Sequence, residues 1–378
     1  MSAGAARWGS PPWRLVPVST PPQTAGAKAP DVAIIGGGLT GVSAAYHLAR
    51  AGIDAVLLEA GWIGYGASGR TGGLVLEGTA AGIRDGADTC IAGLSELVAR
   101  EGIDCDLALP GCWEIRHRES PPERMLPWTD DGHPIGIERT VPGGTVEPAA
   151  LTRGIAEATA RLGAAIRENS RVRAISIAPE AAVELEGERI RPGHVIIATN
   201  AWISAMLPGI PRVRSALTFA CATRPLDEKT LATLKLDAGI PFYTTDLPYL
   251  WGRTIRDGRA IFGSGLVFGA PLDLEEVDSA AGESAAVLAR LQARVRALHP
   301  ALARVEFDCG WAGPIGFTAD ALPLIGPHPD NPRILMAGAY AGHGVALSVR
   351  AGALLAAAIA SGTPLPEWAS PVRFALRR

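Results

Sequence analysis

Three glycines and one carboxylate carry the clearest chemistry in this sequence. Gly36, Gly38 and Gly41 form a Gly-x-Gly-x-x-Gly motif after the apolar run 31–35, and Glu59 stands 21 residues after Gly38. Glycines at this spacing allow a tight turn and the close approach of a pyrophosphate, and an acid at this distance accepts hydrogen bonds from ribose hydroxyls. The pattern predicts a dinucleotide-binding site. The alternative is an ordinary strand–helix–strand turn with a solvated glutamate.

A helix and a second strand must position these residues. Residues 40–50 carry apolar side chains at helical spacing, and 56–59 form an apolar run that ends in the glutamate. The N-terminus of such a helix directs free N–H groups and the positive end of its dipole at phosphates. The motif therefore has the strand, helix and acid that its chemistry requires.

Composition restricts the possible partners. The chain has 378 residues, 48% hydrophobic residues and a formal net charge of −3, which predicts two to three domains and no basic field for nucleic acid. The five cysteines form no Cys-x-x-Cys pair and no zinc-spaced cluster. No uninterrupted apolar run reaches the roughly 18 to 20 residues of a membrane span. We therefore expect a cytoplasmic protein with reduced thiols, no metal, no membrane partner and no nucleic-acid partner; its oligomeric state stays open.

Further glycine-rich stretches extend the pattern along the chain. Residues 61–73 are too rich in glycine for a helix or a central strand, which predicts a loop that approaches a ligand closely. The run 194–200 is typical of a buried parallel strand. Residues 342–344, Gly-His-Gly, precede a helix of small residues that ends near residue 360. The nucleotide-binding domain is therefore predicted to be discontinuous.

Five motifs in this order resemble a known family. They are the glycine motif with Glu59, the loop 66–73, the strand 195–202, the segment 317–326 and Gly-His-Gly at 342–344. Over roughly residues 30–362 the chain is similar to the FAD-dependent amine and amino-acid oxidoreductases of the D-amino-acid oxidase and sarcosine oxidase superfamily. Within it, the resemblance is to the γ-glutamylputrescine oxidoreductase-like branch in particular.

The resemblance implies an α/β fold. It combines a glutathione-reductase-type FAD-binding domain, which has a Rossmann-like parallel sheet, with an α+β substrate domain that has a mixed or antiparallel sheet. We expect an N-terminal arm over 1–30, partly attached by Trp8 and Trp13, an FAD-binding domain over 31–80, 147–205 and 304–365, a substrate domain over 81–146 and 206–303, and a C-terminal tail over 366–378.

The resemblance also implies the reaction. A C–N bond of a small-molecule amine or amino acid would be oxidised by hydride transfer to flavin N5, and the imine would hydrolyse. Oxygen or another acceptor would then take the electrons. The implied cofactor contacts are Gly36, Gly38, Leu39, Thr40, Gly41, Glu59, Ala60, Gly66, Ala67, Ser68, Arg70, Thr71, Gly73, Val172, Thr199, Trp202, Asp320, Gly338, Gly342, His343, Gly344 and Val345.

Six residues are candidates for roles beside the flavin: Arg70, Tyr249, Trp251, Arg253, Tyr340 and His343. Arg70 is the one strong charge in the glycine loop and would tune the flavin, unless it is a surface arginine. His343 would lie at the N-terminus of the last helix, or be an incidental polar residue. The aromatic residues would roof the pocket or pack in the core. Asp320 would bind a ribityl hydroxyl or stabilise a turn.

Three departures from the family pattern limit the substrate and the cofactor chemistry. No arginine stands just after Trp311-Ala312-Gly313 and no lysine stands a few residues after 342–344, so both usual carboxylate anchors of the family are missing. The hypothesis is that the reacting end of the substrate has no adjacent carboxylate, or that Arg253 or Arg256 holds it. Position 313 is not a cysteine and Cys309 lies four residues earlier, which predicts noncovalent FAD.

The choice between oxidase and dehydrogenase stays open. Several enzymes of the family need a lysine over the flavin for oxygen reactivity, and this chain has only Lys28, Lys229 and Lys235. Two other functions compete. A flavin-dependent monooxygenase or reductase would need a second nucleotide motif or a redox cysteine pair, and Gly263-Ser264-Gly265 lacks the third glycine at Phe268. A flavin-binding subunit of a larger complex is the other alternative.

Overall fold

The structure is a computed structural model that describes residues 7–18, 29–117, 124–207 and 209–377. Its strands are β1 Val32–Ile35, β2 Ala55–Leu58, β3 Leu74–Leu76, β4 Cys112–His117, β5 Met125–Asp130, β6 His133–Val141, β7 Gly143–Thr145, β8 Ala165–Arg167, β9 Ala174–Ser176, β10 Ala182–Glu184, β11 Arg189–Ile190, β12 His194–Ile197, β13 Arg214–Thr223, β14 Phe242–Thr244, β15 Trp251–Thr254, β16 Ala260–Gly269, β17 Phe307–Phe317, β18 Leu324–His328 and β19 Asn331–Gly338. Its α-helices are α1 Leu39–Arg50, α2 Cys90–Glu101, α3 Pro148–Arg161, α4 Ile203–Met206, α5 Glu228–Thr233, α6 Pro271–Glu275, α7 Gly282–Leu298 and α8 Gly344–Ser361. Short 3₁₀ helices cover Ala67–Gly69, Asn200–Trp202, Pro300–Leu302, Glu367–Ala369 and Pro371–Arg377.

A six-stranded sheet forms the nucleotide-binding half, in the order β18-β19-β12-β1-β2-β8. The five strands from β19 to β8 are parallel, and β18 is antiparallel to β19. Val32 and Ile34 face the core shared with α1, α3 and α8, whereas Ala33 and Ile35 face the small sheet β9–β11. Burial on both faces explains why these strands are continuous apolar runs. The parallel sheet that the sequence predicts is confirmed.

An eight-stranded sheet forms the other half, in the order β17-β13-β16-β15-β14-β4-β6-β5. It is mixed, because β14 and β4 are parallel and the other neighbouring strands are antiparallel. Leu291 and Val295 of α7 pack against one face together with Phe242 and Phe262. The opposite face of the central strands is turned to the nucleotide-binding half.

Two segments lie on the other side of the domain boundary from their predicted place. Helix α2 packs Leu94 and Leu97 into the same core as α1 and α8, although we expect 81–146 in the substrate domain from sequence. Strand β17 pairs with β13 along the edge of the eight-stranded sheet, although we expect 304–365 in the FAD-binding domain. The sequence of an amphipathic helix or an apolar strand does not show which of two cores the element packs into.

Both ends of the described chain pack on the body. Trp8 is buried, its Nε1 donates to the Leu274 carbonyl at 2.8 Å, and its carbonyl accepts from Ala312 N at 2.7 Å. Trp13 Nε1 donates to the Gly69 carbonyl at 2.7 Å. The expected attachment by the two tryptophans is confirmed for residues 7–18; most of 19–30 lies outside the described residues. The predicted tail contains two 3₁₀ helices, and Arg373 pairs with Asp320.

Helix α8 is long and apolar enough, by length and composition alone, to cross a membrane. Half of that segment is buried inside the structure, and it packs along α1. A Cβ on Gly352 would lie 2.5 Å from the Thr40 carbonyl oxygen, so glycine is what allows the two helices to approach. The apolar sequence of α8 is therefore accounted for by its place in the core.

All five cysteines are free.

Candidate active site: two helix N-termini at one cavity

The turn between β1 and α1 is built for close backbone contact. Gly36 has φ +105°, and a Cβ there would lie 2.7 Å from the Ala198 carbonyl oxygen. A Cβ on Gly41 would lie 1.9 Å from the Gly36 carbonyl oxygen. Gly38 begins the helix with no side-chain cap, and Leu39 N donates to Ser68 Oγ at 2.9 Å. The turn thus presents helix N–H groups with no β-carbon in the way, as an anion-binding cradle requires.

Glu59 lies directly behind this turn. Its carboxylate accepts hydrogen bonds from Gly37 N at 2.7 Å and from Gly61 N at 2.8 Å, one on each oxygen. Burial raises the pKa of Glu59 above its ordinary value, against the effect of these two N–H groups. Each oxygen keeps lone pairs, so the carboxylate can hold the two loops and still accept from ribose hydroxyls.

A second helix N-terminus stands beside the first. Helix α8 begins at Gly344, after Gly342 at φ +91° and after His343, whose side chain makes no capping bond. The Tyr340 hydroxyl and Thr40 Oγ1 are 2.7 Å apart and tie the two turns together. Burial lowers the pKa of His343, so its ring is neutral at neutral pH. Two helix N-termini, each positive, therefore meet at one place.

A cavity of about 460 Å³ opens between these helix ends and the eight-stranded sheet. The residues that line it are Gly38, Leu39, Thr40, Ala67, Ser68, Thr71, Gly72, Leu74, Leu76, Ala198, Asn200, Thr218, Tyr243, Thr244, Leu247, Tyr249, Leu250, Trp251, Leu266, Gly313, Pro314, Ile315, Gly316, Phe317, Tyr340, Ala341, Gly342, His343, Gly344, Val345 and Ser348. Among these described residues there is no Asp, Glu, Lys or Arg. The lining combines aliphatic and aromatic side chains, glycines, and neutral polar side chains such as Asn200 and Thr218.

Thirteen of the predicted site residues belong to this lining: Gly38, Leu39, Thr40, Ala67, Ser68, Thr71, Tyr249, Trp251, Tyr340, Gly342, His343, Gly344 and Val345. Others lie around the cradle without reaching the cavity. Thr199 is beside Gly36, and its hydroxyl is buried with no partner. A Cβ on Gly338 would lie 2.7 Å from Asn200 Cα. An orphaned hydroxyl next to a cradle that a Cβ would fill fits a ligand such as the FAD that the sequence predicts.

Four residues with predicted roles at the site contact other parts of the protein in the structure; they are Arg70, Trp202, Arg253 and Asp320. The Arg70 guanidinium donates to the Gly9 carbonyl at 2.6 Å and lies over the Trp8 ring, and burial lowers its pKa to about 10. Trp202 also packs near Trp8. These side chains attach the N-terminal segment to the body. The sequence predicts this attachment through Trp8 and Trp13 but does not show where on the body the segment lies.

Arg253 and Asp320 are likewise engaged within the protein. Arg253 is buried, donates to the Val146 carbonyl at 2.8 Å and does not line the cavity. Arg256, the other expected carboxylate anchor, is exposed and pairs with Asp106 at 2.7 Å. Asp320 accepts from Leu322 N and pairs with Arg373; burial alone would raise its pKa, but these partners lower it to about 2. These are the contacts of a residue that stabilises a turn.

The substrate-facing wall includes residues that are not among the sequence-based candidates. Tyr243, Thr218, Leu266 and Phe317 line the cavity from four different strands. Alternation in β14, where buried Phe242 precedes Tyr243, is the one sequence signal that could have separated core from cavity. It does not show that the outer face of the sheet is the wall of a site.

Trp251 is placed by two glycines. A Cβ on Gly263 would lie 2.0 Å from the indole ring, and a Cβ on Gly72 would lie 2.2 Å from it. Gly263 is its cross-strand neighbour on β16, and Gly72 belongs to the glycine-rich loop. The indole is therefore held between the eight-stranded sheet and the glycine-rich loop. Among the described residues, no group of three or more metal-ligating side chains occurs.

Comparison with known proteins agrees with this geometry. The model of the DAO family, described as FAD dependent oxidoreductase, matches residues 31–358. The chain is 29% identical to γ-glutamylputrescine oxidoreductase of Escherichia coli, over 86% of this chain and 82% of that protein. It is 26% identical to a glycine oxidase of Bacillus licheniformis, over 89% of this chain and 95% of that protein.

Solved structures share the fold. L-proline dehydrogenase from P. horikoshii superposes with a TM-score of 0.74 at 21% identity, covering 93% of this chain and 99% of that one. Glycine oxidase from Geobacillus kaustophilus superposes with a TM-score of 0.71 at 20% identity, covering 91% and 98%. The chain belongs to the DAO family of FAD-dependent oxidoreductases, and FAD is its cofactor.

Proposed function

We propose that this enzyme oxidises the C–N bond of an amine whose reacting carbon bears no carboxylate. When bound, FAD supplies the acceptor for a hydride from the carbon next to nitrogen. The imine product hydrolyses to a carbonyl compound and an amine. One observation carries the proposal: the described lining of the cavity, between two helix N-termini and an aromatic sheet face, has no cationic side chain for a carboxylate. A buried carboxylate without such a partner is costly.

Different residues of the chain would bind the cofactor and the substrate. The N-terminus of α1 and Glu59 would bind the pyrophosphate and ribose, and the N–H groups of α8 would stabilise negative charge at the flavin edge. Tyr243, Tyr249 and Trp251 would exclude water and pack against an aliphatic or cationic amine. The lining has no carboxylate or lysine that could act as a general base. The His343 imidazole, which burial keeps neutral, could take the proton that a cationic amine must lose before hydride transfer.

We also propose noncovalent FAD and slow reoxidation by oxygen. No cysteine or lysine lines the cavity among the described residues, and burial beside Asp308 raises the pKa of Cys309 to about 11. Lys235 donates to the Met125 carbonyl at 2.9 Å on the protein surface. Protein that yields a colourless pellet and a yellow supernatant after acid precipitation would support noncovalent binding. The free cysteines support the cytoplasmic location, which we keep as a proposal.

A flavin-binding component of a larger complex is the second candidate. It is favoured by a relative from Rhizobium meliloti that is named as one of the subunits of an opine oxidase and is 25% identical over 88% of this chain. In that case the isolated chain would bind FAD but turn over slowly with every amine until a partner chain was added.

Anaerobic reduction of the purified protein tests these proposals. Polyamines, γ-glutamyl amines, N-methyl amino acids and D- and L-amino acids would be added in turn while flavin bleaching is followed. Bleaching by amines that lack an adjacent carboxylate supports the proposal, and readmitted oxygen then separates oxidase from dehydrogenase. Efficient bleaching by simple α-amino acids only would refute it.

A further inference from the structure

A row of polar and aromatic side chains crosses the cavity face of the eight-stranded sheet. Arg139 on β6 pairs with Glu114 on β4, and Glu114 is the register neighbour of Tyr243 on β14. Tyr243 in turn neighbours Trp251 on β15. Because side chains of directly opposed residues share one face, this row leads from solvent at Arg139 to the cavity at Tyr243 and Trp251.

Glu114 is a carboxylate one hydrogen bond away from the cavity. Its Oε1 accepts from the Tyr243 hydroxyl at 2.6 Å and from Arg139 Nη2 at 3.0 Å, and its Oε2 accepts from Arg139 Nε. The Glu114 side chain is 9% exposed whereas that of Arg139 is 67% exposed. Burial alone would raise the pKa of Glu114, but these donors lower it, so the carboxylate is ionised. Water screens the guanidinium far more than the carboxylate, which leaves the cavity side negative.

Tyr243 differs from the other two tyrosines of the cavity. The Tyr249 hydroxyl donates to the Gly265 carbonyl at 2.8 Å and is 2.7 Å from Thr218 Oγ1, so it already donates and accepts. The Tyr340 hydroxyl is buried against Thr40. The Tyr243 hydroxyl donates its hydrogen bond to Glu114 and keeps its lone pairs for a donor from the cavity. A hydrogen bond to an ionised acceptor also makes the phenol oxygen a stronger acceptor.

We propose that the Tyr243 oxygen accepts a hydrogen bond from an N–H of the amine substrate, and that Glu114 behind it makes the cavity select cations over carboxylates. Tyr243 is the binding residue and Glu114 is the positioning residue. The inference deepens the proposed function and rests on it for the identity of the substrate as an amine. It accounts for a site that handles a basic nitrogen with no acid in its lining.

The groups around Glu114 agree with this role. His343 faces Tyr243 edge-on at 6.2 Å between ring centroids and is neutral, because burial lowers its pKa. Cys112 on the same strand stays a thiol, because burial raises the pKa of its sulfur. Among these neighbours Arg139 alone is cationic, and it lies on the solvent side. A cation in the cavity therefore meets no like charge there.

An inert pair of ligands tests the inference without turnover. tert-Butylammonium has no hydrogen on the carbon that bears nitrogen, so it cannot be oxidised there, and pivalate is its carboxylate counterpart of similar shape. Calorimetry with FAD-loaded protein should show binding of tert-butylammonium and none of pivalate. Tyr243→Phe and Glu114→Gln should each weaken tert-butylammonium about tenfold, the effect of one hydrogen bond to a charged group.

The matched control is Arg116→Met. Arg116 also lies on β4 and pairs with an exposed glutamate of β6, Glu138, but it does not contact the cavity. It should leave the affinity unchanged. Equal binding of both ligands, no binding of tert-butylammonium by the unmodified protein, or unchanged affinity in both variants overturns the inference. If Tyr243→Phe does not fold, Glu114→Gln alone decides, since an amide oxygen still accepts from the tyrosine.

A kinetic readout separates the two proposals. With an amine that reduces the flavin, Glu114→Gln should raise the amine concentration for half-maximal reduction about tenfold and leave the limiting rate within about twofold. If no amine reduces the flavin but tert-butylammonium binds through Tyr243, the proposed function fails, and of the inference only the binding of cations at Tyr243 stands. If amines reduce the flavin and the variants match the unmodified protein, the proposed function stands and the inference fails.

Discussion

The two walls of the cavity are made in different ways. The cofactor wall is mostly backbone: glycines at 36, 38, 41, 342 and 344 expose helix N–H groups, and a Cβ at most of these positions would contact a neighbouring atom. The substrate wall is mostly side chain, with Tyr243, Tyr249 and Trp251 standing on a pleated sheet. A backbone site tolerates little change and fixes one ligand, whereas a side-chain site can change its ligand without changing its fold. The comparison implies that mutations on the two walls should fail in different ways.

The largest effect should come from the cofactor wall. Gly41→Ala places a Cβ 1.9 Å from the Gly36 carbonyl oxygen, so either the turn or the helix must move. We expect loss of bound FAD and destabilisation at the upper end of single substitutions, on the order of 4 kcal/mol. Flavin absorbance per chain and the free energy of unfolding measure the two effects.

Gly93→Ala is the matched control for that variant. Gly93 also lies within an α-helix, and a Cβ there meets nothing within 4 Å. Alanine should therefore stabilise α2 by roughly 0.5 to 1 kcal/mol through helix propensity. Retention of full flavin by Gly41→Ala would show that the turn is not the cradle.

The next effect should fall on the substrate wall alone. Gly263→Ala places a Cβ 2.0 Å from the Trp251 ring, so the indole must leave its position between the eight-stranded sheet and the glycine-rich loop. We expect the amine concentration for half-maximal flavin reduction to rise by about tenfold or more, the cost of one misplaced contact surface. FAD content should stay within about a tenth of the unmodified protein, and its loss would contradict the separation of the two walls.

The same difference explains what could be predicted from sequence. Gly36, Gly38, Gly41 and Glu59 are recognisable because a backbone site demands particular residue types at a fixed spacing. Tyr243 is not recognisable in this way, because its role arises from register with Glu114, which is distant in sequence. Arg70 and Arg253 stand out in sequence as charges near the site, but buried charges also serve structure, here with the Gly9 and Val146 carbonyls. Sequence shows which residues are unusual, and only the fold shows which way they face.

A smaller effect should separate structure from recognition at Arg253. Arg253→Met removes the donor to the buried Val146 carbonyl and the contact with the Trp13 ring. We expect a loss of roughly 1 kcal/mol in the free energy of unfolding. Affinity for amines that carry a carboxylate should not change, because Arg253 does not line the cavity. A selective loss of affinity for such amines would restore the arginine as their anchor.

The smallest effect concerns the loop 245–250 between β14 and β15, which carries part of the substrate wall. His117 lies between Asp246 of that loop, at 2.8 Å, and Asp130, at 3.0 Å. Burial alone would lower the pKa of His117, but the two carboxylates raise it above 6.5, while His133 lies edge-on nearby and Arg294 pairs with Asp130. A raised pKa in the folded state stabilises the protein fully below the unfolded pKa of 6.5, and this contribution is lost as the pH rises through the folded pKa.

The free energy of unfolding, measured as a function of pH, should therefore decrease above pH 6.5, and His117→Gln should remove this decrease. The decrease should be a fraction of the total stability, since one partly exposed histidine is involved, or roughly 1 kcal/mol. The matched variant is His299→Gln, because His299 is not paired with a carboxylate and caps a short 3₁₀ helix. Because Leu247 and Tyr249 of the same loop line the cavity, amine affinity should weaken over the same pH range, whereas FAD content should not. A parallel loss of FAD would mean that the two walls are not independent.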